Sequence, residues 1–315
     1  MTTCIPTTSS PNNVDITELK PDDLVLAHSK PSLIAISPVT SIRTALQLLQ
    51  NNKITSLPIC SHDSTQVVSI INLFDILLYL VGGDDNDNQL NKTTQKLDDS
   101  IENVLGLDTD RESYWMHKTD SQDTLFDTLR AFASGVHRSL VVNYGNPKGS
   151  PWLLSQTDII RHIYHYPGSI ANIIDVNTSV GHLGFDKKPP LVSVKANQSA
   201  LSGYKLLAEK NVSGVPIVDD DGNLVGDLCL EDLPSANLDT FELLTLPCVE
   251  YIQHRPSTLA LPVATPNTTL QNVIENFLKL DTHRVWIKQS EESGKVIGVI
   301  SMSDVIGLLC SKKDT

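Results

Sequence analysis

Two His-Arg dipeptides, His137-Arg138 and His283-Arg284, stand in a chain whose acidic residues outnumber its basic ones 37 to 24. Arginine presents a planar fork of donors that fits phosphate oxygens, and an adjacent imidazole adds a donor whose charge depends on pH. A third pair, His254-Arg255, falls between them in sequence. Converged, these groups form a site for a monophosphate or a polyphosphate. Arg138 precedes Asp158 by 20 residues and Arg284 precedes Asp304 by 20, so equal spacing predicts equal placement. The bland alternative is a surface ion pair for each arginine, which contributes only ~0–1 kcal/mol and gives no reason for the pattern to recur.

The aspartates belong to a second recurring feature. In GVISMSDVI, an apolar strand ends at Ser301 and a helix opens near Asp304, so a hydroxyl and a carboxylate lie one turn apart beside unpaired backbone N–H groups. The N–H groups and Ser301 can take a phosphate oxygen, and the carboxylate can accept both hydroxyls of a ribose. Asn72 with Asp75, Ser155 with Asp158 and Cys229 with Asp232 repeat the arrangement. An ordinary capping box explains any single copy equally well.

Four copies require four modules to position them. Successive aspartates are 83, 74 and 72 residues apart, too long for a solenoid unit and right for a small βαββα module. Upstream of each, an extended segment, a helix with apolar residues at helical spacing and a strand recur; the strand blocks are ITSLPIC, VHRSLVV, VSGVPIV and THRVWIK. The expected class is α+β. A flexible tail is expected over residues 1–20, repeats over 21–81, 101–168, 169–240 and 241–310, an acidic solvated linker over 82–100, and a fraying end over 311–315. Pro234 should stop the last helix of repeat three early.

A formal charge of −13 disfavours nucleic acid and anionic membrane as partners, because either requires a basic face. The most apolar stretch, Val67 to Val81, is interrupted by Asn72 and Asp75 and is too short to span a bilayer. Five cysteines without CxxC spacing favour a reducing compartment, the cytoplasm and also the nucleus. His162 and His165 lie three apart on one helix, but a zinc site needs three or four protein ligands, so a surface helix with no metal is expected. No GxSxG elbow, P-loop, HExxH or dinucleotide fingerprint occurs, and no nucleophile accompanies Asp158 and His162; the chain reads as a non-enzyme without cofactor.

These residues, in this order, resemble the CBS-domain proteins, specifically four-repeat gamma subunits of AMP-activated protein kinase. The resemblance covers about residues 22 to 310 and rests on the four terminal motifs, the TS, HR, SG, HR alternation, and NLD followed by QHR. It implies two tandem pairs, each a Bateman module, packed into a flat disc with AMP, ADP or ATP in central clefts. By the resemblance, Asp75, Asp232 and Asp304 contact ribose, with Asp158 an addition. His137, Arg138, Arg255, His283 and Arg284 contact phosphate, and Ser213 and Ser301 lie close by; Asn72 and Ser155 offer further polar groups. Thr55, Thr157 and Cys229 depart from the pattern. At roughly 1.5–3 kcal/mol per charge-assisted hydrogen bond, the two phosphate charges missing at Thr55 and Thr157 weaken one site about a hundredfold or more. The implied role is a non-catalytic energy sensor that regulates a Ser/Thr kinase complex. The alternative is a nucleotide-independent scaffold or inhibitor, similar to fungal CBS-repeat proteins linked to phosphatase control.

Overall fold

The computed structural model describes residues 14–24, 33–62, 66–82, 94–107, 113, 115–146, 150–187, 191–233, 242–255 and 260–310. Repeat one comprises α1 (Ile42–Asn52), β1 (Ser56–Cys60), β2 (Val67–Asn72) and α2 (Leu73–Val81), with Ile36 bridging Ile59 in place of a first strand. Repeat two comprises β3 (Lys118–Asp120), α3 (Phe126–Ala133), β4 (Arg138–Val142), β5 (Trp152–Ser155) and α4 (Gln156–His165). Repeat three has β6 (Val194–Lys195), α5 (Ala200–Lys210), β7 (Gly214–Val218) and β8 (Leu224–Cys229), and ends in a 3-10 turn, Leu230–Asp232, in place of a full helix. That early stop fits the expectation from Pro234, which itself lies outside the described residues. Repeat four comprises β9 (Val263–Ala264), α6 (Leu270–Lys279), β10 (Arg284–Lys288), β11 (Val296–Ser301) and α7 (Met302–Cys310).

The helices form where the sequence supplies both cap and stripe. Ser41 accepts a hydrogen bond from the Thr44 N–H, and Ile42, Ala45, Leu46 and Leu49 bury one face of α1. In α5, Ser199 caps the start and Asn211, at φ 51°, ends it in the left-handed region that asparagine tolerates. In repeats two to four the middle strand pairs parallel with the short first strand and antiparallel with the last. Registers are equivalent: Ser56 faces Asn72, Arg138 faces Ser155, Gly214 faces Cys229 and Arg284 faces Ser301.

Two apolar cores result, and they join alternate repeats. One core unites repeats one and three, where α2 packs on α5; the other unites repeats two and four, where α7 packs on α3 and α4. Repeats consecutive in sequence meet instead through polar strand ends, as in the bonds from Arg138 to Thr55 and from Arg284 to Ser213.

Several expected boundaries cut across these packed units. Residues 14–24, expected mostly as tail, contain two 3-10 turns, and Ile16, Leu19 and Leu24 are buried in the core of repeats two and four. Asp15 accepts from the Thr17 N–H, and the Leu19 carbonyl accepts from the Leu125 N–H at 2.7 Å. Apolar residues at 14, 16, 19 and 24 carried this signal within a stretch dominated by Thr, Ser and Pro. Leu97, Ile101 and Val104 pack with repeats one and three, as do Leu244, Cys248 and Tyr251, whereas Ile170, Val180 and Phe185 pack with repeats two and four. The DDNDN run and residues 311–315 lie outside the described residues.

Candidate functional site: a basic centre where strand ends meet

Each repeat carries its aspartate just past the last strand, and in all four the carboxylate caps the turn that follows. Asp75, Asp158, Asp232 and Asp304 accept from the backbone N–H of Asn72, Ser155, Cys229 and Ser301 at 3.0, 2.8, 2.8 and 2.7 Å. The Ser155 and Ser301 hydroxyls also donate to their aspartates, at 2.8 and 2.7 Å, and the Asn72 side chain accepts from Phe74 and Asp75 N–H groups. The capping geometry is therefore present throughout. Access differs: Asp75 and Asp158 are buried, while Asp304 is half-buried.

The His-Arg pairs of repeats two and four converge. Loss of solvation first, then the charges of Arg138, His283 and Arg284, press His137 down to about 4, although the residue as a whole is exposed. Arg284 is 5% exposed and donates through Nη2 to Ser213 Oγ at 2.9 Å. A Cβ on Gly214 would collide with this guanidinium, so the glycine of the SG dipeptide makes room for it. On the other side of the centre, Arg138 donates to Thr55, the residue equivalent to Ser213.

Repeat three adds carboxylates that the motif search passed over. One Glu231 oxygen lies 2.6 Å from His283 Nδ1, and its other oxygen lies 3.8 Å from Arg284 Nη1. Burial would raise the Glu231 carboxyl, but the Arg284 charge and the His283 contact outweigh it and hold the group at about 2. Asp227 accepts from Trp286 Nε1 at 3.0 Å and from Arg255 Nη1 at 3.1 Å. Arg255 also pairs with Asp232 at 2.6 Å, so it lies on these acids. Burial, with Asp227 and Glu231 nearby, pushes Asp232 up to about 7 against the pull of Arg255, because one guanidinium serves two carboxylates. The signal was visible as GDLCLED, in which Asp227 and Glu231 replace the apolar Ile70 and Phe74 of repeat one.

One other expectation needs correction. His162 is fully buried on α4, not at a helix surface, and neither ring nitrogen has a hydrogen-bond partner. Thr157 donates to the Met302 sulfur at 3.7 Å, placing it against repeat four. Among the described residues no group of three or more His, Cys, Asp or Glu is placed to hold a metal, and no helix is long and apolar enough to cross a membrane.

The sequence profile of the CBS domain matches residues 25–82, 180–237 and 257–311, together more than half of the chain. The gamma subunit of 5'-AMP-activated protein kinase from Dictyostelium discoideum is 22% identical over 88% of this chain and 49% of its own length. The SDS23 protein of Kluyveromyces lactis is 24% identical over 61% of this chain and 43% of its own length. The chain thus spans about half the length of these relatives. A Methanocaldococcus jannaschii protein described as an archaeal homologue of gamma-AMPK superposes with a TM-score of 0.68, at 17% identity, covering 88% of this chain and 95% of that one. Repeat two, which the profile does not match, has the strand order and register of the others. With its four related repeats and its profile matches, this chain belongs to the CBS-domain family.

Proposed function

We propose that this chain is a non-catalytic regulatory subunit that binds an adenine nucleotide, AMP, ADP or ATP, where its strand ends meet, and conveys occupancy to a Ser/Thr kinase complex in the cytoplasm or nucleus. The observation that carries the reading is the convergence of His137, Arg138, His283 and Arg284 from two repeats. Arginine forks and imidazole donors gathered at strand ends suit the oxygens of a nucleotide phosphate. In this reading the half-buried Asp304, at the start of α7, accepts ribose hydroxyls through its carboxylate. A ligand shifts a partner equilibrium only by its differential affinity for two states, so phosphate number is the readable quantity.

Isothermal titration calorimetry on the purified chain tests this. AMP should bind, and Arg284→Gln should weaken AMP more than adenosine, because only AMP loses a phosphate contact. Equal losses for both ligands would remove Arg284 from the phosphate site.

A second reading, a nucleotide-independent scaffold or inhibitor in a phosphatase pathway, draws on one observation. Arg255 and Arg284 already face internal carboxylates, which makes an external anion dispensable for folding. Wild-type protein that binds no adenine nucleotide yet still captures its partner would favour it.

A further inference from the structure

We infer that Glu231 is an internal anion holding the phosphate position of the repeat-three/four cleft, and that it sets a preference for a monophosphate over a triphosphate. The inference rests on the nucleotide reading above and specifies how that site discriminates. Glu231 brings one oxygen to 2.6 Å from His283 Nδ1 and the other to 3.8 Å from Arg284 Nη1, the two basic side chains that a phosphate would take. A carboxylate and a phosphate present similar oxygen pairs to an arginine fork. The two sides of the contact differ in freedom. Arg284 is held at 6% side-chain exposure by Ser213 and by the space over Gly214, whereas the Glu231 side chain is 34% exposed at the mouth. An incoming phosphate therefore displaces the glutamate and leaves the arginine in place.

Charge decides how many phosphates follow. A monophosphate substitutes for Glu231 nearly one for one. A triphosphate brings further negative charge beside Asp227 and Asp232, and Arg255 is already bound to both of them. Repeat one has Phe74 at the position of Glu231, so no carboxylate comes from that position in the repeat-one/two junction.

Calorimetry of the full chain with AMP and with ATP, comparing wild type, Glu231→Gln and Glu231→Ala, tests this, with Glu209→Gln on α5 as a surface-charge control. Both Glu231 variants should bind ATP about tenfold or more tighter than wild type, gain less for AMP, and lose most of the AMP preference; the control should not. Melting curves verify that each variant is folded. If wild type binds neither nucleotide but the variants bind, the internal anion stands and the native sensing role falls. If all proteins bind both nucleotides with an unchanged AMP-to-ATP ratio, sensing stands and the inference is overturned. If no protein binds either, both are overturned.

Discussion

The junction between repeats three and four and the junction between repeats one and two share one strand register but carry different chemistry. In each, an arginine from the even repeat donates to a hydroxyl of the odd one: Arg284 to Ser213, Arg138 to Thr55. The third repeat then places Asp227 and Glu231 where the first has Ile70 and Phe74, both buried. Trp286 reaches Asp227 through its indole N–H, while Leu140 holds the equivalent strand position in repeat two. One junction therefore carries an ion-pair network at positions that apolar side chains occupy in the other. Duplicated backbone keeps positions fixed, and side chains at those positions are then free to assign a site its charge.

The largest expected difference between the junctions lies in their arginines. Arg284→Gln removes a buried cation and leaves Glu231 and Asp227 less compensated, so it should cost about 3–5 kcal/mol of unfolding free energy. Arg138→Gln gives up a hydrogen bond to the half-buried Thr55 hydroxyl, with no counterpart of Glu231 in repeat one to leave uncompensated, and should cost less. Urea denaturation of both variants gives the two numbers; equal values would dissolve the contrast.

The two cores offer a second contrast, in acid. Burial holds His162, in the helix facing repeat four, at about 4 against an ordinary value of 6.5. The unfolded chain takes up its proton first, so this contribution is complete above pH 6.5 and is lost as pH falls toward 4. The full loss is about 3 kcal/mol. Urea midpoints measured from pH 7 to 4.5 should fall for wild type and fall much less for His162→Leu; His137, also depressed, supplies part of the remainder.

The smallest effect is steric. Gly214→Ala would drive a methyl into the Arg284 guanidinium and cost about 1–3 kcal/mol, whereas Ser56→Ala, the counterpart in repeat one, should cost about 1 kcal/mol or less. Thermal melts of the two proteins would show whether the glycine serves the arginine.

Much of this contrast could be read before any coordinates. Helices α1 and α5 were legible because Ser41 and Ser199 cap stripes of clear helical period, and the fourfold plan followed from the recurring aspartates. The convergence of two His-Arg pairs was legible as an equal spacing of 20 residues. Pairing of cores across alternate repeats was not, since apolar faces on α2 and α7 reveal burial but not the burying partner. The packed turn at Ile16 is hidden by its polar neighbours, and the burial of His162 is hidden because the lack of a third ligand near His162 and His165 argues against a metal but says nothing of packing. Glu231 and Asp227 stay out of view because cations and caps give no weight to carboxylates on the last strand and on the turn after it.

Nitrogen NMR of histidine side chains during an AMP titration tests the central claim most directly, since His137 and His283 belong to different repeats and His162 lies buried in a core. If the strand ends form one nucleotide site, the His137 and His283 resonances move together along a single saturating curve while His162 stays fixed. Resonances of His137 and His283 that do not respond to AMP, or that saturate at unrelated concentrations, would contradict it.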